Sequence, residues 1–175
     1  MLKTLKKFIK RLLWFLLIVL TIGIIIPQHI QMPVSGAGNS DFNHQSFWYY
    51  PWGISGTHKG VDIFAKKGTS IKSATSGLVL FSGQNEMGGN IAVVLGPKWR
   101  FHYYAHMQEV SVSRFDWVSK SDKIGTVGDS GNAKGKPSHL HYTISTFLPH
   151  FWLWDSSPQG WKKMFFINPI PYIKT

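Results

Sequence analysis

The sequence predicts a mainly β domain, built on an antiparallel sheet and preceded by one N-terminal transmembrane helix. Three observations predict it. Residues 12–26 carry no charged side chain. From about residue 46 onward, short Val/Ile/Leu-containing runs alternate with Gly-rich turns. No stretch beyond residue 26 shows the 3.6-residue periodicity of an amphipathic helix.

The apolar segment comes first in the chain. It is short for a spanning helix, and Phe8 and Ile9 extend it once Lys10 and Arg11 snorkel toward headgroups. Lys3, Lys6, Lys7, Lys10 and Arg11 precede it, and no further Lys or Arg occurs before Lys59. That asymmetry predicts a cytoplasmic amino terminus and an exported remainder. The small residues Ser35-Gly36-Ala37-Gly38 offer an alternative as the cleavage site of a signal peptide, but they lie far beyond Ile26, which favours a permanent anchor. Residues 1–26 therefore read as basic stub and anchor, 27–45 as a polar linker without periodicity, and 46–175 as one domain.

Composition narrows the chemistry. The formal charge of +11 comes from 19 basic and 8 acidic residues, and five of the basic ones belong to the stub. The excess that remains on an exported domain suits an anionic wall polymer or lipid headgroups, and no motif points to nucleic acid as a partner. The absence of cysteine excludes disulfides, thiol catalysis and thiolate-bound metal.

Histidine carries what chemistry remains. His139-Leu140-His141 opens a β-branched and aromatic run after a Gly/Pro/Ser-rich loop, so it reads as a strand with both imidazoles on one face, about 7 Å apart, and Leu140 on the other. Upstream, His58-Lys59-Gly60-Val61-Asp62 offers an imidazole and a carboxylate. Four residues of extended chain span roughly 13 Å, so the two can meet one ion only where the backbone bends, and Gly60 permits that. Any three of His58, Asp62, His139 and His141 suffice to hold zinc. Two neutral imidazoles and one carboxylate would leave a coordination position open, as catalytic zinc sites do. Tyr103-Tyr104-Ala105-His106 follows the alternating run 91–95 and the Gly96-Pro97 turn, which puts His106 near the end of a second strand. His29, His44, His102 and His150 belong to no motif and read as surface residues.

In this order, His58-x-Gly60-x-Asp62, Tyr104-Ala105-His106 and His139-Leu140-His141 resemble the signature motifs of the lysostaphin-like (LytM-type) zinc metallopeptidases, which cut peptide bonds in bacterial peptidoglycan. Gly68-Thr69, the Gly89-Asn90 turn, Ile124-Gly125-x-Val127-Gly128 and Ile167-Asn168-Pro169 extend the likeness over about residues 52–173. The resemblance implies a LytM, or duplicated-hybrid-motif, fold and one zinc ion per chain. It implies His58, Asp62 and His141 as ligands and His106 and His139 as catalytic residues beside the metal.

Departures from the pattern fall around this set. The family's strand after the paired histidines continues with an aromatic and an acidic residue, whereas this chain has Tyr142-Thr143. Ser121 stands where the resemblance suggests glycine. The stretch 147–166 is rich in Phe and Trp and reads as a flap over the sheet or as a surface for the membrane or the substrate groove. The expected function is a membrane-anchored zinc endopeptidase acting on peptidoglycan, with a noncatalytic wall-binding or activator module on the same fold as the alternative.

Overall fold

The computed structural model describes residues 2–174. Helix α1 (Leu2–Ile25) buries none of its residues, and it is long and apolar enough to cross a membrane. Among the described residues, strands β1 (Val61–Phe64), β2 (Ser70–Lys72), β3 (Gly77–Asn85), β4 (Gly89–Gly96), β5 (Arg100–Val110), β6 (Trp117–Val118), β7 (Lys123–Val127), β8 (His139–Thr146) and β9 (Phe166–Ile167) join in one antiparallel sheet. A short α2 (Ile170–Ile173) follows. The central order is β1-β8-β5-β4-β3-β6, with β7 bridging β5 to β2 and β9 on β8.

Alternation along three neighbouring strands separates core from site. Asp62 pairs with His141 and Ala105 pairs with His141 across the next ladder, so these side chains share one face. Val61, Ile63, Leu140, Tyr142, Ile144 and Tyr104 point the other way and are fully buried. Burying one such aliphatic side chain contributes about 1.5–3 kcal/mol, which fixes the register because a one-residue slip would exchange the two faces.

The core also holds a polar chain. Arg100 donates to Gln28 Oε1 at 2.8 Å, Gln28 Nε2 lies 2.8 Å from His102 Nε2, and His102 Nδ1 lies 2.6 Å from the Tyr142 hydroxyl. His102, expected at the surface, is fully buried. Burial, with the nearby Arg100 charge, pushes its pKa down to about 3, so it sits there as the neutral imidazole. The expected outcome does hold for His29 and His44, which are exposed.

The stretch 27–45, expected to be a polar linker, is instead a strap laid across the domain. Gln31 and Ser35 donate backbone hydrogen bonds to Ala74 and Ser70, and Lys72 returns one to Pro33. Val34 and Phe42 form bridges to Ile71 and Ile63 and belong to the core. Two apolar residues eight apart leave no periodicity, which is why the pattern of the sequence did not betray them. The strap begins where α1 is already docked: Lys98 Nζ reaches the Ile24 carbonyl at 3.2 Å and the Trp99 indole donates to the Leu20 carbonyl at 2.9 Å. The Trp99 ring lies flush against Gly23, where a Cβ would fall 2.2 Å from it.

A packed strap makes a specific demand on stability. Phe42 is 5% exposed, and Phe42→Ala is expected to cost about 3–5 kcal/mol, the range for emptying a buried aromatic site. Ile54→Ala, at a 94% exposed position, should stay within about 0.5 kcal/mol. Denaturant unfolding of the detergent-solubilised chain measures both.

Candidate metal centre

The site lies on the open face of β1, β8 and β5. His58 precedes β1, and Asp62 lies on it opposite His141 of β8. The imidazole of His58 is folded back over the strand by the turn at 58–60, bringing its Nε2 to 3.1 Å from Asp62 Oδ1 and 3.1 Å from His141 Nδ1. The remaining edge, His141 Nδ1 to Asp62 Oδ1, is 2.7 Å. The chain bends at Gly60, as expected, and Gly60 also gives room, since a Cβ there would stand 2.5 Å from both the Tyr142 carbonyl and Thr143 Oγ1.

Hydrogen-bond chemistry then specifies where the electron pairs point. A carbonyl oxygen only accepts, so an imidazole nitrogen beside one must carry the proton. His58 Nδ1 lies 2.9 Å from the Ser46 carbonyl, which leaves the lone pair of Nε2 aimed at Asp62 and His141. His141 turns Nδ1 inward and sets Nε2 3.1 Å from Thr143 Oγ1. Burial would raise the pKa of Asp62, but N–H groups of His141 and His58 hydrogen-bonded to Oδ1 outweigh it and hold the carboxyl well below the usual range, and a bound cation would replace those protons. Three acceptor atoms thus converge within 4.8 Å, and only a cation or added protons can neutralise their mutual repulsion. Ligand atoms about 2.0–2.1 Å from a tetrahedral zinc stand about 3.3 Å apart, so the triangle is close to zinc's size, and imidazole and carboxylate are ordinary zinc ligands. The residues fit the ion.

Of the four side chains considered from sequence, the structure brings His58, Asp62 and His141 together and keeps His139 just outside, its Nε2 4.0 Å from Asp62 Oδ1. His139 Nδ1 lies 2.8 Å from the Pro137 carbonyl. His106 Nδ1 lies 3.0 Å from the Ser130 carbonyl. In the neutral form of each ring the lone pair is then on Nε2, and the ring centroids are 5.0 Å apart. His106, expected near a strand end, lies instead within β5, between its last pair with β8 at Ala105 and its first pair with β7 at Met107. The register against β4 shifts there, and His106 has φ +62°. A bulge with a left-handed non-glycine residue costs of order 1–3 kcal/mol and re-aims its side chain, here into the site. Burial first, and then the neighbouring His139 and His141, lower the His106 pKa to about 4.

Around these groups is a cleft of about 630 Å³, walled by Trp52 and Ile54 on one side and by Met87, Asn132 and Pro137 on the other. The Trp52 ring lies 4.2 Å from that of His58. Lys59 points away from the ligands and ties the 52–57 loop down through the Ser55 and Thr57 carbonyls. The orienting groups that sequence reasoning missed are mostly backbone carbonyls, of Ser46, Ser130 and Pro137, and no residue type marks a carbonyl. Thr143 was visible only as the place where an acidic residue is absent.

Residues 56–150 match Peptidase family M23. The chain belongs to that family. It is 31% identical over 129 residues to lysostaphin of Staphylococcus simulans, covering 72% of this chain and 23% of that protein. It is 34% identical over 85 residues to the peptidoglycan DD-endopeptidase ShyC of Vibrio cholerae, covering 49% of this chain and 19% of that one. The chain thus spans about a quarter or less of the length of these relatives. The fold agrees with the lysostaphin catalytic domain from Staphylococcus simulans at a TM-score of 0.60 and 24% identity, over 78% of this chain and 95% of that one. A lytM structure from Ruminococcus gnavus agrees at a TM-score of 0.63 and 24% identity, over 90% and 67%. The expected LytM-type antiparallel fold is the one observed.

Close approach at Gly60 should be visible in metal binding. Gly60→Ala is expected to weaken zinc affinity tenfold or more, the scale for displacing a metal site's supporting groups, because the added methyl pushes the 58–62 segment off β8. Competition with a chromophoric chelator measures it.

Proposed function

We propose that this protein is a membrane-anchored zinc endopeptidase that hydrolyses peptide bonds of bacterial peptidoglycan, with His58, Asp62 and His141 as ligands of one zinc ion. The observation that carries this reading is the convergence of His58, Asp62 and His141, each offering one ligand atom, at the floor of an open cleft. Family membership and relatives named as peptidoglycan endopeptidases support the substrate class.

A zinc ion supplies Lewis-acid chemistry, polarising a carbonyl and acidifying water. The chain's own residues do the rest. His106 and His139 present basic Nε2 atoms to the cleft beside the ligand triangle, each held by a carbonyl at Nδ1. One accepts a proton as water attacks the peptide carbonyl, and a protonated imidazole delivers one to the departing amine. The depressed pKa of His106 keeps it unprotonated through the neutral range, which suits the accepting role. Asp62 has no such role, being occupied by two imidazoles.

Helix α1 supports a single-pass anchor with the amino terminus inside and the domain on the outer side of the cytoplasmic membrane, because the basic residues cluster before the apolar stretch. The large apolar side chains of α1 are exposed, and its last turns meet the domain at Lys98 and Trp99.

Ligands and proton carriers separate by experiment. His141→Ala is expected to lose most of the bound zinc by elemental analysis. His106→Ala and His139→Ala should keep it and lose roughly a hundredfold or more in release of fragments from purified walls. Near-normal turnover in either would remove that residue from the mechanism, and a wild-type chain unable to take up zinc would remove the metal.

The anchor has its own test. The full-length chain should stay with membranes in high salt, since a hydrophobic span is not screened by ions. Protease added outside should digest the domain and spare the first residues. A soluble mature form beginning near Ala37 would identify a cleaved signal peptide instead.

A further inference from the structure

The aromatic stretch after β8 does not act as one unit. Its later part turns back toward the cleft, where Gln159 donates to the Ser55 carbonyl at 3.1 Å. Its earlier part leaves the opposite end of the sheet, where Arg100 of β5 pairs with Thr146 of β8. That is the end at which α1 is docked. Phe147 lies 6.3 Å, ring to ring, from Trp99, whose indole is bonded to the Leu20 carbonyl. The turn Phe151–Leu153 follows directly on His150, which lies near the Arg100 charge at this end, and Phe151 is 69% and Trp152 76% exposed. Trp154 is also exposed, while Leu153 packs on the core and holds the turn in place.

We propose that this end of the domain is a second membrane contact, with Trp99, Phe147, Phe151 and Trp152 seated in the lipid interface and Lys98 among the headgroups; this rests on reading α1 as a membrane span. Depth supplies the argument. Leu20 and Ile26 are separated along the helix by about 9 Å at 1.5 Å per residue. Trp99 is bonded at Leu20, so wherever the apolar stretch ends in a bilayer, the indole lies up to that far beneath its end. Interfacial aromatic side chains occupy a zone about 5–10 Å deep at the boundary of headgroups and acyl chains. Lys98 at Ile24 sits higher, where an ammonium meets phosphate. The segments 97–101 and 147–154 contain no Asp or Glu, while Lys98 and Arg100 supply positive charge. An exposed cluster of Trp and Phe on a protein end tethered within reach of lipid is the composition of an interfacial belt.

Anchoring at this end sets the height of the cleft. From the Arg100–Thr146 pair to the Ala105–His141 pair, β5 and β8 advance roughly 17 Å at about 3.3–3.4 Å per residue. The cleft then faces polymer lying close to the membrane.

The chain has no cysteine, so single-cysteine variants carry one label each. Full-length Leu17→Cys, Phe151→Cys, Trp152→Cys and Glu86→Cys, each bearing a nitroxide, would be reconstituted in phosphatidylcholine vesicles containing phosphatidylglycerol. Collision rates with oxygen, which concentrates in lipid, and with a water-soluble nickel chelate report the depth of each label. Glu86 lies in the turn between β3 and β4, at the other end of the strands. The expected result is that labels at 17, 151 and 152 collide several-fold more with oxygen than with nickel, relative to the label at 86. Label 17 in lipid with 151 and 152 as water-exposed as 86 would overturn the second contact and leave the anchor standing. Label 17 in water would overturn both.

Discussion

Three electron pairs directed at one point are the constraint around which this domain is arranged. Left alone, the lone pairs of His58 and His141 and the charge of Asp62 repel one another at 2.7–3.1 Å. The fold makes the arrangement hold by fixing each group from behind. The Ser46 carbonyl sets the tautomer of His58, and the β1–β8 register sets Asp62 against His141. Gly60 allows β1 to lie close enough for the three to meet. The apolar opposite faces of the same strands then give the register its energy, so core packing and site geometry are two readings of one alternation.

The separation between ligands and the two flanking histidines follows from backbone shape more than from residue type. All five groups are histidine or aspartate within one cleft, yet their proposed roles diverge because strand pairing places Asp62 directly opposite His141 and leaves His139 two positions along the ladder, opposite Phe64. His106 enters from β5 only because that strand is interrupted by a bulge. Without it, the alternation that points Tyr104 into the core would also point His106 there.

The fold class and the three motifs were legible in the sequence because both are written in local pattern: alternation, turn residues and histidines two or four apart. Residue spacing alone left four candidate positions for a metal, and the resemblance named three of them; what brings those three together is strand pairing, which relates residues nearly eighty apart and leaves no local trace. The strap was misread for a related reason, since Val34 and Phe42 are lone apolar residues whose partners Ile71 and Ile63 are distant in sequence. His102 was misread because a buried imidazole needs polar partners, and its partners Gln28 and Tyr142 come from the strap and from β8. Ser121 is a subtler case. It stands where glycine was expected and has φ +80°, so the backbone demand persisted although the residue changed.

The strap also bears on the proposed function, because it governs how freely the cleft moves relative to α1. A free coil the length of residues 27–45 would have an end-to-end distance of roughly 25 Å and would let the domain sweep a volume around a fixed anchor. Hydrogen-bonded along β2 and closed by Val34 and Phe42, that segment has no such freedom. With α1 in a bilayer, the cleft is carried at constant height and constant tilt, and the remaining movements are drift and rotation in the plane. Under the proposed function, encounter with an immobile polymer would then be a two-dimensional search paced by membrane viscosity, and strands beyond the cleft's own height would escape it.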